Sequence, residues 1–242
     1  MRIRQIAGLL LVPAVLAGCS KDTSTATATT SGPASTTPTT AASTSVAEST
    51  TTTAAAKDPA KAAKAKAAVL QPADFPSGFK EVPADEALDQ EATFTDLTTC
   101  LGVTGDSLGK AASPTYRQGI ATQTTSTVEY FTDPKPIAMA VAGSPKFAGC
   151  VKAALTADLK RNSPPGMTID AVDVAPLDLP QLGQLTSASR ATAPLPGAGT
   201  INQDFIIVFK DDSVTRMTFL NPGQPFPAEL EKSLVEKVVA RA

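Results

Sequence analysis

The sequence predicts an α+β domain over residues 69–242, an antiparallel sheet of about four to six strands covered by about three helices. Three observations carry this reading. Apolar residues recur at helical spacing through residues 145–161, and the period then changes from 3.6 to 2 across four segments between 167 and 220. A helical period returns at 227–241. Strands in succession flanked by helices indicate helices packed on an antiparallel sheet. At about 174 residues the domain has ample length for one core.

The elements follow in order. Leu70-Gln71-Pro72-Ala73-Asp74-Phe75-Pro76-Ser77-Gly78-Phe79 cannot form a regular helix, because its prolines and glycine punctuate it. Leu70, Phe75 and Phe79 pin this segment to a core. Residues 96–101 read as a short helix bearing Cys100. Residues 119–132, rich in Thr and Val and alternating through Val128, Tyr130 and Phe131, read as a strand. Residues 136–143 form a short Ala-rich helix. In the helix at 145–161, Pro145 stands at the start and Phe147, Cys150, Val151, Ala154, Leu155 and Leu159 share the inward face. Asn162-Ser163-Pro164-Pro165-Gly166 ends it.

Residues 167–174, 185–193, 201–210 and 213–220 read as strands. In the third, Phe205, Ile207 and Phe209 face one way and Ile206 and Val208 the other, the mark of a central strand covered on both sides. Lys210-Asp211-Asp212-Ser213 turns it into a hairpin with the fourth. Leu230, Leu234, Val235, Val238 and Val239 form the buried side of the closing helix.

Ahead of the domain, Arg2 and Arg4 precede an apolar run over residues 6–17, and small residues lead into a cysteine at Leu16-Ala17-Gly18-Cys19. This ending resembles the lipobox of bacterial lipoproteins. The resemblance implies a signal peptide over 1–18, cleavage before Cys19, a diacylglycerol on its sulfur and a further acyl chain such as palmitate on its amino group. The apolar run is shorter than the roughly 20 residues of a spanning helix. The expected partner is therefore the membrane through lipid alone, at the outer face of the cell membrane, each buried CH₂ contributing about 0.8 kcal/mol. Residues 19–68 then read as a Thr/Ser/Ala/Pro-rich tether, too poor in apolar groups to offset its ordering entropy and so disordered. Its composition suits O-glycosylation. Within it, residues 54–66 resemble an Ala/Lys helical spacer whose lysines form a solvated face.

Two cysteines remain, Cys100 and Cys150. In an exported domain a thiol pair forms a bridge, with two buried free thiols as the alternative. Closing a loop of about 50 residues stabilises by about 4 kcal/mol on the chain-entropy model. The lipobox, the tether, the Asp74-Phe75-Pro76-Ser77-Gly78-Phe79 opening and the cysteine pair together resemble actinobacterial surface lipoproteins. The nearest types are those with a sensor domain similar to the extracellular part of the mycobacterial kinase PknH, and LpqN-like lipoproteins. Residues 70–79 are similar to their Leu-x-x-x-Asp-Leu-Pro-x-Gly-Trp start, with Phe75 in place of Leu and Phe79 in place of Trp. The resemblance implies extracytoplasmic ligand binding or sensing and carries over no catalytic residue.

Histidine is absent, which excludes Ser-His-Asp and Cys-His mechanisms and removes the commonest zinc ligand. Losing residues 1–18 removes Arg2 and Arg4 and leaves 19 basic against 23 acidic residues, a net of −4 with no general attraction to nucleic acid. Ser77–Lys80 and Ser107–Lys110 fit Ser-x-x-Lys, but neither Ser-Asp-Asn nor Lys-Thr-Gly accompanies them. A phosphate loop ending at Gly109-Lys110 fails at Thr104 and Ala111. Asp170, Asp173, Asp178, Asp211 and Asp212 lack the D-x-[DN]-x-[DN]-G order of a calcium loop, so no metal or other cofactor is expected. The expected function is a membrane-anchored, non-enzymatic protein binding a ligand or protein partner in the cell envelope. The alternative is a carrier holding a lipid in an apolar cavity. A third reading, a hydrolase working through carboxylates alone, has no recognisable Asp/Glu pair to carry it.

Overall fold

The computed structural model describes residues 57–83, 87–119, 122–162, 169, 171–195 and 199–242. Cys19, the signal peptide and the tether as far as residue 56 lie outside the described residues, as do Met167, Thr168 and Asp170 of the strand expected at 167–174.

Among the described residues eight strands form one antiparallel sheet: β1 (Phe79–Glu81), β2 (Ser107–Ala112), β3 (Tyr116–Gln118), β4 (Thr122–Phe131), β5 (Asp173–Pro176), β6 (Leu185–Leu195), β7 (Gly199–Lys210) and β8 (Ser213–Pro222). Their order is β1-β3-β4-β8-β7-β6-β5, and β2 pairs the other half of the β4 edge that β3 occupies. Five helices accompany them: α1 (Pro59–Ala68), α2 (Gln90–Leu101), α3 (Lys135–Gly143), α4 (Phe147–Arg161) and α5 (Ala228–Arg241). The α+β class and the antiparallel sheet are as the sequence predicts. The described residues hold more of both elements than the four to six strands and three helices expected.

Alternation along β7 builds two cores. Phe205, Ile207 and Phe209 enter one with Phe94 and Leu97 of α2, Ile137 of α3 and Leu155 of α4. Ile206 and Val208 enter the other with Ala65 of α1 and Leu234, Val235 and Val238 of α5. The sheet is therefore sandwiched, with α2, α3 and α4 on one face and α1 and α5 on the opposite one. Central strands β4, β7 and β8 are buried along nearly their whole length.

The expected boundary at residue 69 moves outward, because α1 belongs to the domain. Asp58 caps it, accepting from the amides of Ala60 and Lys61, while its own amide donates to Leu108 of β2. The lysines expected to form a solvated face are partly engaged. Lys57 pairs with Asp106, Lys61 pairs with Asp212, and Lys61 and Lys64 lie 4.8 and 5.0 Å from the centre of the Tyr130 ring. The strand expected at 167–174 begins only at Asp173, and residues 171–172 are not strand. The helix expected at 96–101 starts earlier, at Gln90, where Asp89 accepts the Ala92 amide at 3.2 Å.

Helix α1 lies so close to β2 that Gly109 must be glycine. A Cβ there would stand 2.4 Å from the Ala62 nitrogen and 2.9 Å from its Cα, both backbone atoms that cannot swing away. Gly109→Ala should lift α1 off the sheet and cost about 1–3 kcal/mol, read as a lower urea midpoint.

The opening segment is clamped to the end of the chain. Asp74 accepts the Gln71 amide and both Nη atoms of Arg241 at 2.7–2.8 Å, while Arg241 also donates to the carbonyls of Ala68 and Val69. Burial pushes the Asp74 carboxyl up, and Arg241, the Gln71 amide and Lys237 together more than reverse this, leaving it below its ordinary value. Phe75 stacks on Phe79 and meets Tyr116, and Phe79 reaches Phe226, so the aromatics pin the segment as expected.

Candidate functional site: a charged cleft beside helix α2

Helix α2 crosses a polar stretch of the sheet. It ends at Gly102, whose φ of 70° gives the left-handed stop that glycine adopts without strain. The first residue, Gln90, uses its whole amide on the strands. Its Nε2 donates to the Thr125 carbonyl at 3.2 Å and to Thr218 Oγ1 at 3.0 Å, and its Oε1 accepts from Thr127 Oγ1 at 2.9 Å.

The next residue, Glu91, meets two cations. It lies 2.9 Å from Lys110 Nζ of β2 and 3.5 Å from Nη2 of Arg216 of β8. Arg216 is fully buried, donates from Nη2 to Glu129 of β4 at 2.9 Å, and has its guanidinium carbon 4.0 Å from the centre of the Phe94 ring. Its Nε and Nη1 have no hydrogen-bond partner among the described residues. Burial presses the guanidinium below its ordinary pKa, against the charges of Glu129 and Glu91. Burial likewise pushes the Glu91 carboxyl up, but Arg216 and Lys110 prevail and leave it below its ordinary value, so it is anionic at neutral pH.

Beside these residues opens a cleft of about 400 Å³, its polar side including Glu81, Asp89, Gln90, Glu91 and Lys110 and its apolar side Val82, Leu88 and Pro114. Glu91 also lines a smaller cavity of about 200 Å³ together with Phe94, Glu129 and Ile137. It is thus the wall between the two.

A second opening, of about 590 Å³, runs between α4 and the β5–β6 edge. Phe147, Val151, Val174 and Pro176 line it beside the hydroxyl-bearing Ser187 and Ser189.

On the opposite face, Arg190 holds Asp204 through two hydrogen bonds of 2.6 and 2.7 Å, and Glu231 of α5 lies against the same carboxylate. Burial and the Asp204 charge push the Glu231 carboxyl up from 4.5 to about 8, so the pair holds one proton at neutral pH. The native state then binds an extra proton between pH 4.5 and about 8, and the stability this group contributes is complete below pH 4.5 and lost as pH rises to about 8. Glu231→Gln should remove that slope. It should raise stability at pH 8 by on the order of 3 kcal/mol while changing little at pH 4.5, in urea titrations of variant and parent at both pH values.

Of the residues singled out from sequence, Cys100 and Cys150 are joined in a disulfide, with Cα atoms 5.6 Å apart, that ties α2 to α4. The free-thiol alternative is set aside. Ser107 and Lys110 lie on β2 rather than at a helix start, and Lys110 turns to Glu91. Asp211 exchanges hydrogen bonds with Gln184, and Asp212 pairs with Lys61. Among the described residues no group of three or more acidic or cysteine side chains is arranged to hold a metal ion, and no helix is long and apolar enough to cross a membrane. Gln90, Glu91, Glu129 and Arg216 were not singled out from sequence. The available signal was a charge set inside an apolar strand, Glu129 between Val128 and Tyr130 and Arg216 beside Met217.

No protein-family model matches this chain, and comparison with curated proteins returns no match.

Proposed function

We propose that this chain is a lipid-anchored, extracytoplasmic binding protein without catalytic activity, held at the outer face of the cell membrane through Cys19 and using the cleft beside α2 to bind a ligand in the envelope. The observation that carries the binding reading is the cleft itself: about 400 Å³, within the usual range of small-molecule sites, with a rigid polar wall at Gln90 and charged groups at Glu91 and Lys110. The anchor rests on the Leu16-Ala17-Gly18-Cys19 ending. The organisation resembling PknH-like sensor and LpqN-like lipoproteins agrees with both.

The groove beside α4 supports a second reading, a carrier for a hydrophobic ligand, because it is larger and has an apolar stretch of Phe147, Val151, Val174 and Pro176. Native mass spectrometry of the full chain from its own membranes separates the two: a co-purified polar molecule supports the first and a co-purified lipid the second. For the anchor, Cys19→Ala should shift the protein from the detergent phase to the aqueous phase in a detergent-partition assay. A variant that stays in the detergent phase would sink the lipid reading.

A further inference from the structure

The Glu91 carboxylate sits between Lys110 and Arg216. We infer that the cleft beside α2 takes its ligand through an anionic group, a carboxylate or a phosphate, that displaces Glu91 from Lys110 and Arg216. This rests on the reading of that cleft as the binding site and goes on to name the chemistry it selects.

Four observations converge. Gln90 and Glu91 are neighbours with opposite situations. Gln90 is buried and commits its whole amide to the sheet, whereas the Glu91 side chain is half exposed at the cleft mouth, with one good contact to Lys110 and one long one of 3.5 Å to Arg216. The first is a fixed wall and the second a movable one. Next, Arg216 is buried with Nε and Nη1 unpartnered, although a guanidinium presents five donors and buried donors left bare are costly.

The charge balance at the Glu91 seat itself also selects an anion, although Glu81 and Asp89 line the outer part of the cleft. Within the seat Arg216 and Lys110 face Glu129 and Glu91, two cations against two anions. Glu129 is buried and bonded at 2.9 Å, so it stays. When Glu91 swings out, the cluster carries one net positive charge, which an incoming monoanion neutralises and a neutral or cationic ligand leaves uncompensated. Last, Glu91 lines both the larger cleft and the smaller cavity, and Glu129 lines the smaller one, so the departure of Glu91 joins the two spaces beside Glu129, the partner of Arg216.

The test is isothermal titration of the full chain in detergent with butyrate, inorganic phosphate, butyramide and butylammonium, on the parent, Glu91→Gln and Lys110→Gln. Arg216 stays untouched because its loss endangers the fold, and equal melting temperatures show that the two surface variants remain folded. Butyrate or phosphate should bind saturably and the amide and amine should not. Glu91→Gln should tighten the anion about tenfold by removing the competing carboxylate, and Lys110→Gln should weaken it about tenfold. Butyramide or butylammonium binding as tightly as butyrate, or anion affinity unmoved by both substitutions, overturns the anionic group while leaving the cleft as a site. No binding of any probe to any of the three proteins overturns the cleft reading as well.

Discussion

Replacing Cys100 and Cys150 together by alanine will lower stability by about 4 kcal/mol and the melting temperature by roughly 10 °C. The bridge closes a loop spanning 50 positions, and opening it restores that chain freedom to the unfolded state. A native-state effect adds to this. Cys150 lies on the inward face of α4 while Cys100 sits exposed near the end of α2, so the bridge fixes the helix that carries Gln90 and Glu91. Reducing agent added to the parent protein should reproduce most of the loss, since Cys100 is open to an attacking thiolate. An unchanged melting temperature in both experiments would mean that apolar packing between α2 and α4 suffices.

Glu129→Ala will cost about 3–5 kcal/mol, because it strips a fully buried guanidinium of its close partner. What remains is the 3.5 Å contact to the half-exposed Glu91 and the face of Phe94. The joint replacement Arg216→Met with Glu129→Leu should be much milder, since no charge is then left alone and the unpartnered Nε and Nη1 vanish as well. Methionine also suits the ring of Phe94. Urea midpoints of the two proteins decide it. If the single and joint variants lose equally, the cost lies in lost volume rather than stranded charge.

Much of the fold was legible because large side chains carried a period. In β7 the two faces read correctly from Phe205, Ile207 and Phe209 against Ile206 and Val208, and α4 and α5 declared themselves through evenly spaced Leu and Val. What escaped is the packing of elements whose burial falls on small residues: the helical spacer at 54–66 was legible as a helix but not as part of the domain, and β2 was not legible at all. Helix α1 buries Ala65 and Ala68, and β2 turns Gly109 and Ala111 to that face, where the α1 backbone presses on Gly109. Neither shows an apolar stripe.

The cleft escaped for a different reason. Glu129 and Arg216 stand 87 positions apart and meet only through the pairing of β4 with β8, where Thr127 faces Arg216. A charge inside an apolar strand announces that a partner exists, but strand order supplies its identity. The disulfide was the exception. With two cysteines in the domain, the pairing left little choice.

The seat of α1 also governs how the domain takes load. The chain arrives at α1 from its N-terminal side, so any pull transmitted along the chain reaches α1 first. That helix buries only two alanines along its length; the Asp58 amide and the lysine pairs with Asp106 and Asp212 fasten its start, and Arg241 holds the carbonyls of Ala68 and Val69 at its end. The long ladders of β4, β7 and β8 stand behind it. A pull on the N-terminal side of α1 is therefore expected to open the α1–β2 contact before the ladders of the sheet, on whose far side the α2 cleft lies.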